Sequence, residues 1–236
     1  MDLMTKDLLI NFLFLLLSLC LAQIFYMIKY SYQLKESNDR VIAIFPAVSI
    51  ILSMLFPVYV DVDFVWDLRW VPFILGGLYG GYKLGSSLLL IILFIRYFQG
   101  GDGFYITIIT FTIVGIIVSL LSKYYLQMRL KHKIIVTTSL SIFSLLCSFI
   151  LSFKVFSIDL HLSFWLQYSG IHIIGMVLLT LLWEMIRTNF QVLQKLIKAE
   201  KLQMVSHLAA SMSHEVRNPL TAVRGFIQLL SEDIST

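Results

Sequence analysis

Six long apolar runs separated by short polar connections fill most of the chain, and a different rhythm takes over at the end. The runs cover about residues 8–28, 41–60, 70–96, 105–121, 134–153 and 163–186. Each is near the ~20 residues that a helix needs to cross ~30 Å of hydrocarbon, so the pattern predicts an all-α polytopic membrane bundle. The first run is long, uninterrupted and without a basic leader, which predicts a retained segment instead of a cleaved signal peptide. No connection is long enough to house a soluble sensor domain. From Arg187 onward Lys195, Lys198, Glu200 and Lys201 interleave with Val192, Leu196, Ala199, Leu202, Val205, Ala209, Met212 and Val216. Those apolar positions step by four, three, three, three, four, three and four, the seam of a coiled-coil or bundle helix with one phase slip near Ala199. The expected division is a transmembrane module over 1–186, a helical linker over 187–200 and a cytoplasmic dimerisation helix over 201–236.

Composition removes the soluble alternatives. Of 236 residues 58% are hydrophobic and 14% charged, with mean hydropathy +0.86, against about 25% charged in a soluble globular domain. The net charge of +4 does not point to nucleic acid, because the basic residues flank apolar runs and report orientation. Cys20 and Cys147 both fall inside apolar runs without metal-ligand spacing, which predicts core packing and neither a disulfide nor a metal site.

Lys and Arg concentrate on the cytoplasmic side of short loops. Lys123, Arg129, Lys131 and Lys133 mark the connection between the fourth and fifth runs as cytoplasmic, and Arg187, Lys195, Lys198 and Lys201 fall on the same side two crossings later. Six simple crossings would put Lys29, Lys35 and Arg40 outside and Asp61, Asp63 and Asp67 inside, inverting the rule. The conflict vanishes if 70–96 is a re-entrant hairpin, broken among Gly76, Gly77, Gly80, Gly81 and Gly85 around Lys83, since non-helical backbone is tolerated at depth within protein. Five crossings plus that hairpin place the amino terminus outside. A single tilted helix also suits 27 residues, so five and six spans both stand open.

The richest chemistry lies in Ser211-Met212-Ser213-His214-Glu215-Val216-Arg217-Asn218-Pro219-Leu220. His214 and Asn218 lie one turn apart on one helix face. Pro219 removes the amide that would bond the Glu215 carbonyl, which predicts a bend just after the histidine. An imidazole with pKa near ~6.5 is largely neutral in the cell and can attack a phosphoryl group through one ring nitrogen. A neighbouring carboxylate can accept the proton from the other and fix the tautomer. His-Glu-x-x-His zinc chemistry fails, because Asn218 stands where the second histidine is needed. His207, one heptad earlier, lacks this context and reads as a solvated bundle residue.

This string resembles the H-box of the dimerisation and phosphoacceptor domain of sensor histidine kinases over about residues 200–230. The resemblance implies that His214 is the phosphoacceptor, Glu215 the adjacent base and Asn218 the residue that positions an ATP phosphate or a hydrolytic water. Arg217 and Pro219, with Leu220, complete the box. It further implies ATP with Mg2+, a homodimer, and a response-regulator receiver domain whose aspartate takes the phosphate. In the membrane half, Asp67-Leu68-Arg69, Gly76-Gly77-Leu78-Tyr79-Gly80-Gly81 and Arg96-Tyr97-Phe98-Gln99-Gly100-Gly101 are similar to the five-transmembrane LytS/YhcK-type receptor module. The whole resembles B-type sporulation kinases, which implies a two-component system or phosphorelay at a bacterial plasma membrane. That family continues into a second bundle helix and an ATP-binding domain. The present sequence reaches Thr236 without a nucleotide signature, so on this reading it is a phosphate acceptor supplied in trans.

Ionisable groups near hydrocarbon cost about 2.5–3.5 kcal/mol at mid-span and signal function by default. Asp67, Arg69 and Arg96 flank the Gly-rich segment and can pair across it; with Lys83 they are the candidate sensing residues. His172 and Glu184 also qualify, although Glu184 lies near the cytoplasmic end and within reach of Arg187. Trp66, Trp70 and Tyr97 sit at run ends and read as interfacial anchors. Two rivals remain: a small transporter or channel built on the Gly-broken hairpin, and a non-enzymatic membrane adaptor with a degenerate kinase tail. The H-box discriminates, because a transporter has no use for it.

Overall fold

Hydrocarbon offers no partner for a peptide group, so apolar segments satisfy their backbone internally as helices. The computed structural model describes residues 3–32, 44–59, 65–101, 103–156 and 162–233. Its elements are α1 (Leu3–Tyr32), α2 (Ile44–Leu55), β1 (Val58–Tyr59), β2 (Val65–Trp66), α3 (Trp70–Gln99), α4 (Gly103–Tyr125), α5 (Leu130–Phe156) and α6 (Leu162–Asp233). Lys35, Arg40, Asp61 and Asp63, on which part of the topology argument rested, lie outside the described residues, as does the His214 side chain. The chain divides between Met185 and Ile186 into two units.

In the first unit, α1 and α2 run antiparallel and are joined by polar bonds. Asn11 Nδ2 donates to the carbonyl oxygens of Ser53 (3.1 Å) and Phe56 (2.9 Å), Ser53 Oγ donates to Asn11 Oδ1 (2.7 Å), and Ser18 Oγ bonds Ser49 Oγ. Gln99 Nε2 donates to the Met54 carbonyl oxygen (2.8 Å). The last carbonyls of any helix lack intrahelical partners, so Asn11 and Gln99 complete the end of α2. An antiparallel clasp, Val58 opposite Trp66 and Tyr59 opposite Val65, then leads the chain to Asp67.

α3 is a helical hairpin. Gly81 has φ 74° and ψ −173°, a conformation essentially confined to glycine. In a straight helix Gly77 and Gly85 would be about 12 Å apart. Instead a Cβ built on Gly85 would lie 3.6 Å from the Gly77 Cα, and one on Gly76 would lie 2.6 Å from Leu88 Cδ1. The arm over 70–80 is about 16 Å long, and its residues from Trp70 to Tyr79 are all buried. The returning arm over 82–99, about 27 Å, buries Gly85, Leu88, Ile92 and Arg96 and turns Leu90, Phe94 and Tyr97 outward.

Contacts sort the helix ends into two layers. Tyr79, Tyr125, Lys133 and Glu184 meet in one. Asp67, Arg69, Arg96, Gly103, Ser152 and Tyr168 meet in the other. The first is the cytoplasmic layer, since exposed Lys123, Arg129 and Lys131 lie at the same ends of α4 and α5. Phe45 at the start of α2 stacks on Trp183, 4.9 Å between centroids, which places that end in the cytoplasmic layer. Its other end, with Met54 and Asn11, lies with Gln99 in the outer layer. The start of α1 is therefore outside, and α3 enters and leaves from outside. Six simple crossings are overturned, and the hairpin alternative is the one observed. Among the described residues five helices are long and apolar enough to cross a membrane, α3 among them by length, with α2 as a shorter apolar helix of 12 residues.

Other expectations change with burial. Trp66 and Trp70 are not interfacial anchors but 9% and 5% exposed, packed in the outer layer, while Tyr97 remains exposed. Trp70 stacks on Phe111 at 3.6 Å, and Trp66 meets Trp165 and Tyr168 edge-on. Cys20 is exposed on α1, not in the core; both cysteines are free thiols. Lys133, counted among the cytoplasmic markers, lies in the cytoplasmic layer but is buried there in an ion pair.

The second unit, taken by itself, is the portion of α6 beyond Met185. Leu202, Val205, Met212 and Val216 are each more than half exposed along it. The helix continues through Pro219.

Candidate functional site

The outer layer of the first unit encloses a cavity of about 50 Å³ between α3, α4, α5 and α6, lined by Asp67, Arg69, Arg96, Thr107, Ser152 and Tyr168 among others. Arg69 directly follows the clasp and grips Asp67 with both ends of its fork: Nε to Oδ1 at 2.7 Å and Nη2 to Oδ2 at 2.6 Å. The Arg69 amide also donates to Oδ1 (2.9 Å). Tyr168 Oη of α6 donates to the Asp67 carbonyl oxygen (2.9 Å). Arg96 reaches the same cavity from the returning arm, is 2% exposed, and its Nη1 donates to Gln99 Oε1 (3.4 Å). The hairpin thus brings together three of the four candidate sensing residues, 29 positions apart at the extremes, Asp67 and Arg96. Lys83 is not among them: it sits exposed beside Tyr82 at the opposite tip of the hairpin.

Among the described residues the lining carries the guanidinium groups of Arg69 and Arg96 and the carboxylate of Asp67. Three of its buried polar atoms, Asp67 Oδ2, Arg69 Nη1 and Ser152 Oγ, make no hydrogen bond among the described residues, although Asp67 Oδ2 lies in the ion pair with Arg69 Nη2. An unmade bond on a buried donor costs about 1–3 kcal/mol, more for a charged group, so Arg69 Nη1 is a donor that an acceptor oxygen entering the cavity would satisfy.

His172, one turn below Tyr168, is fully buried; its Nδ1 lies 3.0 Å from Ser141 Oγ. Sequence reasoning gave Tyr79, Tyr125, Lys133 and Tyr168 no role in a site, because their partners lie on other helices far along the chain. One signal was available for α5. Lys133, Thr137, Ser141, Ser144, Ser148 and Ser152 repeat at helical spacing and all are buried, a polar stripe that a bilayer-facing helix surface would not carry.

On α6, Glu215, Arg217, Asn218 and Pro219 are exposed. Thr221 Oγ1 donates to the Arg217 carbonyl oxygen (2.8 Å), and Ser213 Oγ to that of Ala209 (2.8 Å). His214 lies on the helix between them.

A helical membrane module with a buried polar cavity, followed by a helix bearing the His-Glu-x-x-Asn-Pro string, defines a membrane receptor joined to a phosphoacceptor helix. Comparison with known proteins gives that class its family. Residues 22–186 match the model described as 5TMR of 5TMR-LYT, and residues 204–236 match the His Kinase A (phospho-acceptor) domain. The chain belongs to the 5TMR-LYT receptor family and carries histidine-kinase phospho-acceptor sequence on its cytoplasmic side. Sensor protein DegM of Bacillus sp. (strain B21-2) is 31% identical over 193 residues, 78% of this chain and 51% of that protein. Sporulation kinase B of Bacillus subtilis (strain 168) is 30% identical over 244 residues, 97% of this chain and 55% of that protein. The chain spans about half the length of these curated relatives. AtoS of Escherichia coli (strain K12), a signal transduction histidine-protein kinase, is 45% identical over 42 residues, 18% of this chain and 7% of that protein. No solved structure matches. These likenesses do not favour the transporter reading.

Proposed function

We propose that this chain is the sensing and phosphoacceptor part of a membrane histidine kinase, in which a small anion in the outer cavity controls phosphorylation of His214. The observation that carries the kinase reading is the phospho-acceptor match over 204–236, which contains the complete string from His214 to Pro219. His214 offers one ring nitrogen to the phosphoryl group, while Glu215 takes the proton from the other. Asn218, one turn on, orients the phosphate donor or a water; Arg217 and Pro219 shape the segment. The phosphate then passes to an aspartate on a response-regulator receiver domain. Among the described residues no group of three His, Cys, Asp or Glu side chains converges to hold a metal. We assign ATP and Mg2+ to a nucleotide-binding domain outside the described residues.

The functional division is a sensor over 1–186, a signalling linker over 187–200 and the first part of the phosphoacceptor domain over 201–236. A homodimer follows from the exposed seam, since one bundle helix cannot bury Leu202, Val205, Met212 and Val216 alone. The test is phosphate labelling of the full-length kinase in membranes. Acid-labile, alkali-stable label on His214 is expected, lost in His214→Gln. Label that persists in that variant refutes the assignment. For the cavity, Arg69→Ala and Arg96→Ala should each abolish the response of labelling to a panel of small carboxylates and phosphate. A response retained in both places sensing elsewhere.

A further inference from the structure

Two helices bond the Glu184 carboxylate of a third at the cytoplasmic layer of the first unit, and a fourth reaches it through Tyr79. Tyr79 Oη of the hairpin donates to Glu184 Oε2 (2.6 Å), and Lys133 Nζ of α5 donates to Glu184 Oε1 (2.6 Å). Tyr125 Oη of α4 approaches Tyr79 Oη at 3.5 Å. Lys133 Nζ also lies over both rings, 5.8 Å from the Tyr79 centroid and 5.7 Å from that of Tyr125. Trp183 packs on Tyr79 (5.4 Å) from the residue before Glu184.

We propose that this cluster is a latch: Glu184 fastens the hairpin tip to α6, and opening it changes phosphoacceptor output. The inference rests on the kinase reading above.

Stability alone does not account for the cluster. A buried ion pair is seldom more stabilising than apolar residues of the same volume, and Lys133 and Glu184 side chains are only 3% and 18% exposed. What the pair does supply is a directional tie between the hairpin and α6. Tyr79 stands two residues before Gly81, where the chain reverses on a single glycine. Packing of Gly77 on Val118 holds the buried arm against α4, and the bond from Tyr79 to Glu184 ties its inner end to α6.

The outer end of that arm begins at Trp70, next to Arg69 in the cavity. A rod of about 16 Å thus has the cavity at one end and the latch at the other. Glu184 in turn lies on α6, which leads along the chain to His214. The two tyrosine rings give Lys133 a second seat. A cation over aromatic faces keeps part of its stabilisation when the carboxylate withdraws, so the open state is not prohibitively costly. That is the property a two-state element needs.

The test uses the full-length kinase in lipid nanodiscs, with hydrogen exchange and His214 labelling measured on the same samples. Glu184→Gln and Tyr79→Phe should raise exchange over 70–80 about tenfold and leave the α1–α2 pair, held by Asn11, unchanged. Both should shift the labelling rate in one direction by about fivefold or more, within the usual range of allosteric coupling. Lys133→Arg, which keeps both the ion pair and a cation over the two rings, should stay near wild type in both readouts, whereas Lys133→Met should behave as Glu184→Gln does. Unchanged exchange over 70–80 in Glu184→Gln overturns the latch, as does faster exchange with unchanged labelling. If the wild-type kinase takes no phosphate on His214, the kinase reading fails instead, and exchange alone decides whether Glu184 holds the hairpin.

Discussion

Substituting Gly77 tests the hairpin at its closest approach. A Cβ there would lie 2.5 Å from Val118 Cγ1 of α4 and 3.8 Å from the Gly85 Cα of the returning arm. Val118 is 1% exposed, and a β-branched side chain in a helix has essentially one χ1 rotamer, so it cannot swing aside. Overpacking of this kind costs about 1–3 kcal/mol. Alanine recovers up to ~1 kcal/mol of helix propensity relative to glycine. The net for Gly77→Ala is a loss of about 1 kcal/mol, rising to about 2. Gly170→Ala on α6 is the control: nothing lies within 4 Å of its Cβ, so only the propensity gain of up to ~1 kcal/mol applies. The two alanines should therefore differ by about 2 kcal/mol in reversible unfolding in mixed micelles, with wild type between. Val118→Ala removes the atom that Gly77→Ala strikes. The double variant should be more stable than the sum of the singles by about 1 kcal/mol or more, the coupling expected of residues in contact. If Gly77→Ala matches Gly170→Ala, or Val118→Ala fails to rescue it, the arms do not pack as described.

Gly81→Ala has open space around its Cβ yet should lose about 1–3 kcal/mol in the same unfolding assay, because its backbone conformation is nearly closed to L-residues; a neutral result would place the reversal elsewhere. Asn11→Leu strips the Ser53 and Phe56 carbonyls of their donor and should cost about 1 kcal/mol, near the upper half of measured polar couplings in bilayers, together with faster hydrogen exchange at the end of α2. Lys83→Ala, exposed at the hairpin tip, should change stability by less than about 0.5 kcal/mol and leave the anion response of His214 labelling intact; loss of that response would return Lys83 to the sensing site.

The helices and the phosphoacceptor string were legible because each is local. A run of apolar residues has no other option in hydrocarbon, and His214, Glu215 and Asn218 are close in sequence as well as in space. The hairpin was half legible. Its glycines and the inverted charges of the front half pointed to a break, while only the approach of Gly76 to Leu88 and of Gly77 to Gly85 decides between a bend and a reversal. What could not be read were the pairings made across the bundle. Lys133 and Glu184 are 51 residues apart, and Tyr79 and Glu184 are 105 apart.

The same reason explains the errors of sign. The positive-inside rule concerns lysines in water at the membrane surface, and it counts Lys133 among them because sequence shows charge without burial. Aromatic belts likewise predict where Trp66 and Trp70 fall along the normal but not which way they face. Both misreadings lie on the inward faces of helix ends, where the run of apolar residues stops before the protein interior does. In a bilayer protein the lipid limits hydrophobic runs, but the interior tolerates charge wherever a partner is supplied. Arg69 with Asp67 and Lys133 with Glu184 are two such exceptions, one at each layer. They stand at the two ends of the short arm from Trp70 to Tyr79; the first pair was legible because its members are two residues apart, and the second was not because its members are 51 apart.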